Sequence, residues 1–150
     1  MVKNASLLFD TAVYIGFQNQ VKIIEPGWLS MVVIQELMAG SSGRSDLKYW
    51  ENMSRYYTRK NRLLTPNDEA WRTAGRILNH LLSDLSRNDA GRRRPKLSND
   101  KKQSIIRDVL IAVSAKQHGV TVISDNEDFP LLLDYYDFRW QSAHSFFAGT

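Results

Sequence analysis

The sequence predicts an α/β domain on a mainly parallel sheet, and three observations carry that prediction. Short apolar runs, "SLLF" near the start and "VTVI" from Val120, alternate with longer segments of helical periodicity, the pattern of strands joined by crossover helices. Both runs lead directly into acidic positions, Asp10 after the first and Asp125, Glu127 and Asp128 after the second. The length, 150 residues, fits one domain spanning 1–150 and buries roughly 70% of the unfolded surface, enough for a real core.

The elements follow in order. "SLLFD" is a short strand ending in an acid, and "DTAVYIGFQ" opens with a capping pair and reads as a helix. "EPGWLS" reads as a turn leading into a brief strand. "SMVVIQELMAGSSG" is a helix capped by Ser30 and ending at Gly40 or Gly43. Asp46 to Arg62 is polar and aromatic with helical spacing. "LLTPNDEAW" gives another short strand and a cap. Asn67 to Leu85 is a long amphipathic helix with Ala70, Trp71, Ala74, Ile77, Leu78, Leu81 and Leu82 on one side. "SRNDAGRRRPKLSND" is a loop rich in cations. Asp100 to His118 is a helix stopped by Gly119, followed by the buried strand "VTVIS", an acidic turn with a short helix, and a last strand at "DFRW".

Composition excludes several classes. There is no cysteine, so disulfides and thiolate metal sites are ruled out. The N-terminal segment lacks the uninterrupted apolar stretch of a signal peptide or membrane span, because Asp10 breaks it; the expectation is a soluble, cytoplasmic protein. A net charge of +4 and a pI near 9.4 fit a polyanionic partner.

Two further acids stand in apolar surroundings: Glu36 in "MVVIQELMAG" and Asp108 in "SIIRDVLIAVSA". A carboxylate on a packed face costs energy without a partner, and no equal set of cations adjoins these in sequence. In open parallel sheets, ligands bind beyond the carboxyl ends of the strands, where Asp10 and the acidic turn fall. Several acids converging there imply a divalent cation, and oxygen donors suit Mg²⁺ or Mn²⁺. His80, His118 and His144 lack ligand spacing, which argues against zinc. An acid-lined metal site in a basic protein points to phosphodiester hydrolysis.

The chain resembles the PIN-domain ribonucleases, and within them the VapC-type toxins of type II toxin–antitoxin pairs. "LLFDT" resembles the family's opening strand with its Asp and adjacent hydroxyl, and "VVIQELMAG" its Glu-Leu helix ending in Gly. "DVLIAVSAKQHGVTVIS" resembles the central Asp helix and next strand, and "SDNEDF" the Ser/Thr, Asn/Asp and Asp-Phe signature. The resemblance covers Leu7 to about Leu133. It implies a PIN-like twisted sheet flanked by helices and Mg²⁺- or Mn²⁺-dependent endoribonuclease activity. It further implies a homodimer and a cognate antitoxin that inserts a segment into the active-site groove. By position, Asp10, Glu36, Asp108 and Asp128 carry over as the acidic set, and Thr11, Ser124 and Asn126 as orienting groups.

The family often has a small polar residue before its central Asp; here Arg107 occupies that place, and Asn99-Asp100 upstream makes Asp100 a rival. Asp125 is an alternative metal ligand to Asp128. Arg92, Arg93, Arg94 and Lys96 are candidates for RNA phosphates, against the alternative of a solvated loop. Rival functions are a non-catalytic RNA- or protein-binding module of the same fold, an RNA-processing or DNA-directed nuclease, and a phosphotransferase with Asp10 as nucleophile. The last expects a second Asp where Ala12 stands.

Overall fold

A computed structural model describes residues 2–87 and 97–149, and of residues 2–5 the backbone alone. Among the described residues, five strands form one sheet in the order β3-β2-β1-β4-β5, with parallel pairing throughout. They are β1 (Val2–Phe9), β2 (Ile24–Ser30), β3 (Leu63–Leu64), β4 (Thr121–Ile123) and β5 (Trp140–Gln141). The helices are α1 (Thr11–Gly16), α2 (Gln18–Val21), α3 (Met31–Ala39), α4 (Arg44–Arg59), α5 (Asp68–Leu85), α6 (Asn99–Gln117), α7 (Asp128–Leu132) and α8 (Ala143–Ala148). The chain winds outward from β1 through β2 to β3, then returns to the other side of β1 with β4. The topological switch point therefore lies between β1 and β4, the crevice where such sheets bind ligands.

The ends of β1 and β4 are fixed by burial. Leu8, Phe9, Val122, Ile123 and Phe129 are fully buried, and covering each large apolar side chain is worth about 1.5–3 kcal/mol. Leu8 pairs with Val122 and Phe9 with Ile123. The ladder runs one step further, the amide of Asp10 donating to the Ile123 carbonyl at 3.1 Å. Asp10 and Ser124 are thus delivered side by side at the carboxyl edge. Ser30 caps α3 as expected, its hydroxyl accepting from the amides of Val32 and Val33 at 3.1 and 3.4 Å.

Several sequence expectations need correction. The first helix is two short ones, broken at Phe17. "EPG" is no turn: β2 runs through Pro26 and Gly27. Pro26 is tolerated because β3 pairs only with Leu29 and Ser30, so β2 lacks that neighbour at Pro26. The helix expected over 46–62 is α4, ending before Asn61, which takes a left-handed φ of 57°. Trp71 does not join the buried face of α5. Ala70, Ala74, Ile77 and Leu81 face the core, while Trp71 is 56% exposed. The last strand is Trp140–Gln141 rather than "DFRW", and α8, which had no sequence reading, packs Phe147 5.7 Å from Phe9, ring centre to ring centre. Arg92, Arg93, Arg94 and Lys96 lie outside the described residues.

Candidate active site

Asp10 follows β1 and is 3% exposed. It has the backbone of a helix N-cap, yet its side chain caps nothing. Its carboxylate instead accepts from the Ser124 hydroxyl at 2.8 Å. Ser124 Oγ also accepts from the Asn126 amide at 3.0 Å, which folds the chain into a tight turn after β4. Asn126 extends the brace in two directions. Its Nδ2 donates to Asp108 Oδ2 at 3.0 Å, and its Oδ1 accepts from the Asp128 amide at 3.0 Å. One turn therefore ties Asp10, Asp108 and Asp128 together, and the fully buried Phe129 pins it to the core.

Asp108 reaches this place from α6. Lys101, Ser104 and Asp108 stand at i, i+3 and i+7 and share one helix face, which looks onto the turn. Lys101 Nζ lies 2.6 Å from Asp128 Oδ1, and the Ser104 hydroxyl donates to Asp128 Oδ2 at 3.4 Å. Asp108 is 4% exposed, whereas its rival Asp100 is exposed in the first turn of α6.

Glu36, on α3, is half-buried opposite Arg107, whose Nε lies 3.5 Å from Glu36 Oε2 without hydrogen-bond alignment. Arg107 therefore pairs with Glu36 rather than with its neighbour Asp108. Thr11 borders Glu36, but its buried Oγ1 makes no hydrogen bond of full geometry. A buried hydroxyl left this way calls for a partner. Beside Glu36 and Arg107 opens a cavity of about 640 Å³, walled by Met31, Gln35, Trp71, Gln103 and Ile106 among others.

The electrostatics show how costly the assembly is. Burial, and then the charge of Asp10, a hydrogen bond to Asp128 and the charges of Asp128 and Glu36, push Asp108 up to about 9. Asp10 is raised chiefly by burial, against the lowering effect of the Ser124 hydrogen bond. Glu36 is raised by burial, partly offset by Arg107. Crowded, desolvated carboxylates that resist ionisation are what a cation would relieve.

Asp125 stands apart from this cluster. Its carboxylate accepts from the His144 amide at 3.1 Å and pairs with the His144 ring, so it faces α8. Glu127 is exposed. Among the described residues, no three His, Cys, Asp or Glu side chains stand at metal-ligating distance. Each of the four acids has a partner in the structure: Ser124 for Asp10, Asn126 for Asp108, Lys101 for Asp128 and Arg107 for Glu36. The donor chemistry fits a hard divalent ion all the same: oxygen ligands throughout, and an unsatisfied Thr11 hydroxyl at the border. Sequence reasoning missed Lys101 as the partner of Asp128 and Arg107 as the partner of Glu36.

This geometry yields a direct comparison. If the cluster serves the metal-dependent phosphodiester hydrolysis expected from the sequence, Asp128→Asn should lower the cleavage rate at least about tenfold, roughly 1.4 kcal/mol of transition-state stabilisation. Asp125→Asn and Glu127→Gln should leave the rate near wild type. A Mn²⁺ titration of all three variants measures this, and damage confined to Asp125→Asn would reverse the assignment.

No protein-family model matches the chain, and no curated protein matches it in sequence. Solved structures do match in fold. A chain of VapBC-1 from nontypeable Haemophilus influenzae superposes with a TM-score of 0.56 at 20% identity, covering 96% of this chain and 99% of that one. A member of the VapBC family of toxin–antitoxin systems, VapBC-5 from Mycobacterium tuberculosis, gives 0.52 at 21% identity over 93% and 98%. DNA-bound VapBC from Salmonella typhimurium gives 0.54 at 15% identity over 95% and 99%. The fold is thus the PIN-like α/β fold of these structures, as the sequence motifs led us to expect. Among the described residues no helix is long and apolar enough to cross a membrane.

Proposed function

We propose that the chain is a divalent-metal-dependent endoribonuclease and the toxin of a type II toxin–antitoxin pair. The observation that carries this reading is the gathering of the buried Asp10, Asp108 and Asp128 at the switch point of a parallel sheet. The fold shared with solved toxin–antitoxin complexes supports the toxin role. Mg²⁺ or Mn²⁺ would be held chiefly by Asp10 and Asp108. When bound, such an ion lowers the pKa of a water and stabilises charge on the leaving oxygen.

The chain's own residues do the rest. Ser124 and Asn126 hold the Asp10 and Asp108 carboxylates in place. Glu36, raised by burial, is a better proton acceptor than an exposed glutamate and receives the proton of the attacking water. The water oxygen bonds to phosphorus as one backbone P–O bond breaks, and the leaving oxygen takes up a proton from solvent, giving a phosphate monoester and a hydroxyl. Lys101 offsets the charge of Asp128 near the entering phosphate. The substrate is RNA, the partner a cognate antitoxin, the assembly a homodimer and the location cytoplasmic.

The test is cleavage of single-stranded RNA by the purified chain with Mn²⁺ or with EDTA, followed by sequencing of the ends. Expression with and without the neighbouring small gene tests the toxin role, and light scattering the dimer. A second reading, a non-catalytic binding module, is favoured by the absence of a ready three-ligand cluster among the described residues. RNA bound but uncut at every Mn²⁺ concentration would establish that reading instead.

Neutralising Arg92, Arg93 and Arg94 together should weaken RNA binding and flatten its salt dependence. Single-strand binding loses about 0.7 in log–log slope for each phosphate contact removed. An unchanged slope would assign these residues to a solvated loop.

A further inference from the structure

We infer that the carboxylate cluster is built for a single divalent ion, with Lys101 and Arg107 supplying the positive charge that a second ion would bring. The inference rests on the metal-nuclease reading above and deepens it.

The four acids fall into two kinds. Asp128 and Glu36 each face a cation, Lys101 Nζ at 2.6 Å and Arg107 Nε at 3.5 Å. Asp10 and Asp108 are held by neutral donors, Ser124 Oγ at 2.8 Å and Asn126 Nδ2 at 3.0 Å. Counted over the described residues with every group ionised, four carboxylates against two cations leave a formal charge of minus two. One divalent ion balances that charge. Its place is between Asp10 and Asp108, the two acids that face no cation.

The cations are fixed features of the helix that carries Asp108. Lys101 shares the helix face of Asp108, and Arg107 is its sequence neighbour, directed at α3. A second ion on Asp128 would have to displace an ammonium already in a short, charge-assisted contact, and one on Glu36 would meet the guanidinium. Phosphodiester sites with two ions use them as a symmetric clamp. Here side-chain cations flank the metal position instead, and they cannot dissociate.

Calorimetric titration of the metal-free full-length chain with Mn²⁺ tests this without reference to activity. Wild type should bind one ion per chain. The double variant Lys101→Met, Arg107→Met should bind two, with the exchange-coupled electron paramagnetic resonance signal of adjacent Mn²⁺ ions. Lys101→Arg, which keeps the charge, should stay at one. If the double variant does not fold, as read by circular dichroism, Lys101→Met alone is scored in the same way, since it uncovers Asp128. Two ions in wild type would overturn the single-ion inference and leave the metal reading standing. One ion in wild type and in the charge-removing variants alike would overturn the role given to the cations. No Mn²⁺ binding in wild type would overturn the metal reading, and this inference with it.

Discussion

Asp10→Asn and Asp108→Asn are each expected to lower metal-dependent RNA cleavage at least about a thousandfold, roughly 4 kcal/mol of transition-state stabilisation. Both are also expected to raise the melting temperature of the metal-free chain. The two effects have one cause. Asp10 and Asp108 are buried close to other acids and braced by neutral hydrogen bonds, so their charge is unfavourable until a cation arrives. An amide keeps the shape and removes the charge, which relieves the apo fold and cripples the ion site. Stability–function exchange of this kind marks residues kept for chemistry rather than for packing. Cleavage rates in Mn²⁺ and thermal melts in EDTA measure both sides. Asp100→Asn, on an exposed position, is the control and should change neither. Near wild-type cleavage by either variant would remove that residue from the metal site.

The second large effect is on pH. Asp108 is held at about 9 in the folded chain, against 3.8 for the ordinary side chain. Between those values the native state binds a proton that the unfolded state has released. Stability of the metal-free protein therefore falls as pH rises through that window, by up to about 1.4 kcal/mol per pH unit for this one group. Asp10 and Glu36, both raised, act in the same direction. Melting temperatures in EDTA should drop steadily from about pH 5 to about pH 8. Asp108→Asn should flatten the slope, and Mn²⁺ should reverse it, because the ion binds the ionised form and releases the proton. A melting temperature that rises with pH in EDTA, or a slope unchanged in Asp108→Asn, would contradict the burial of an uncompensated carboxyl at this site.

The acids were legible in the sequence because each breaks an apolar run: Asp10 after "SLLF", Glu36 within "MVVIQELMAG", Asp108 within "SIIRDVLIAVSA". Burial is a local signal at such positions, since the flanking residues announce it. The braces at Ser124 and Asn126 were expected from a short motif, and in the structure both hydrogen-bond the acids. Partnerships across the fold left no such trace. Glu36 meets Arg107 and Asp128 meets Lys101 only because α3, α6 and the last turn pack together, and nothing near one member of a pair names the other. Trp71 was misplaced for a related reason. It follows Ala70 by one residue, so it falls about 100° around the helix, at the rim of the apolar arc. Helical periodicity put it on the apolar side, and packing put it beside the cavity. The path of β2 through Pro26-Gly27 was hidden because local turn propensity is strong there, while the pairing with β1 that overrides it is remote.

The bond from Ser124 to Asp10 spans 114 residues, and it has a bearing on the birth of the chain. Parallel pairing of β1 with β4 cannot begin until the later strand has left the ribosome, however early β1 and β2 meet. Loop closure over such a separation is a late and slow event in folding. A growing polypeptide thus carries Asp10 and Glu36 without Asp108 or Asp128 to complete the cluster until those later residues have emerged. The carboxylates can assemble only after β4 and the turn that follows it have been made, so a product truncated before Asp108 or Asp128 cannot complete the cluster.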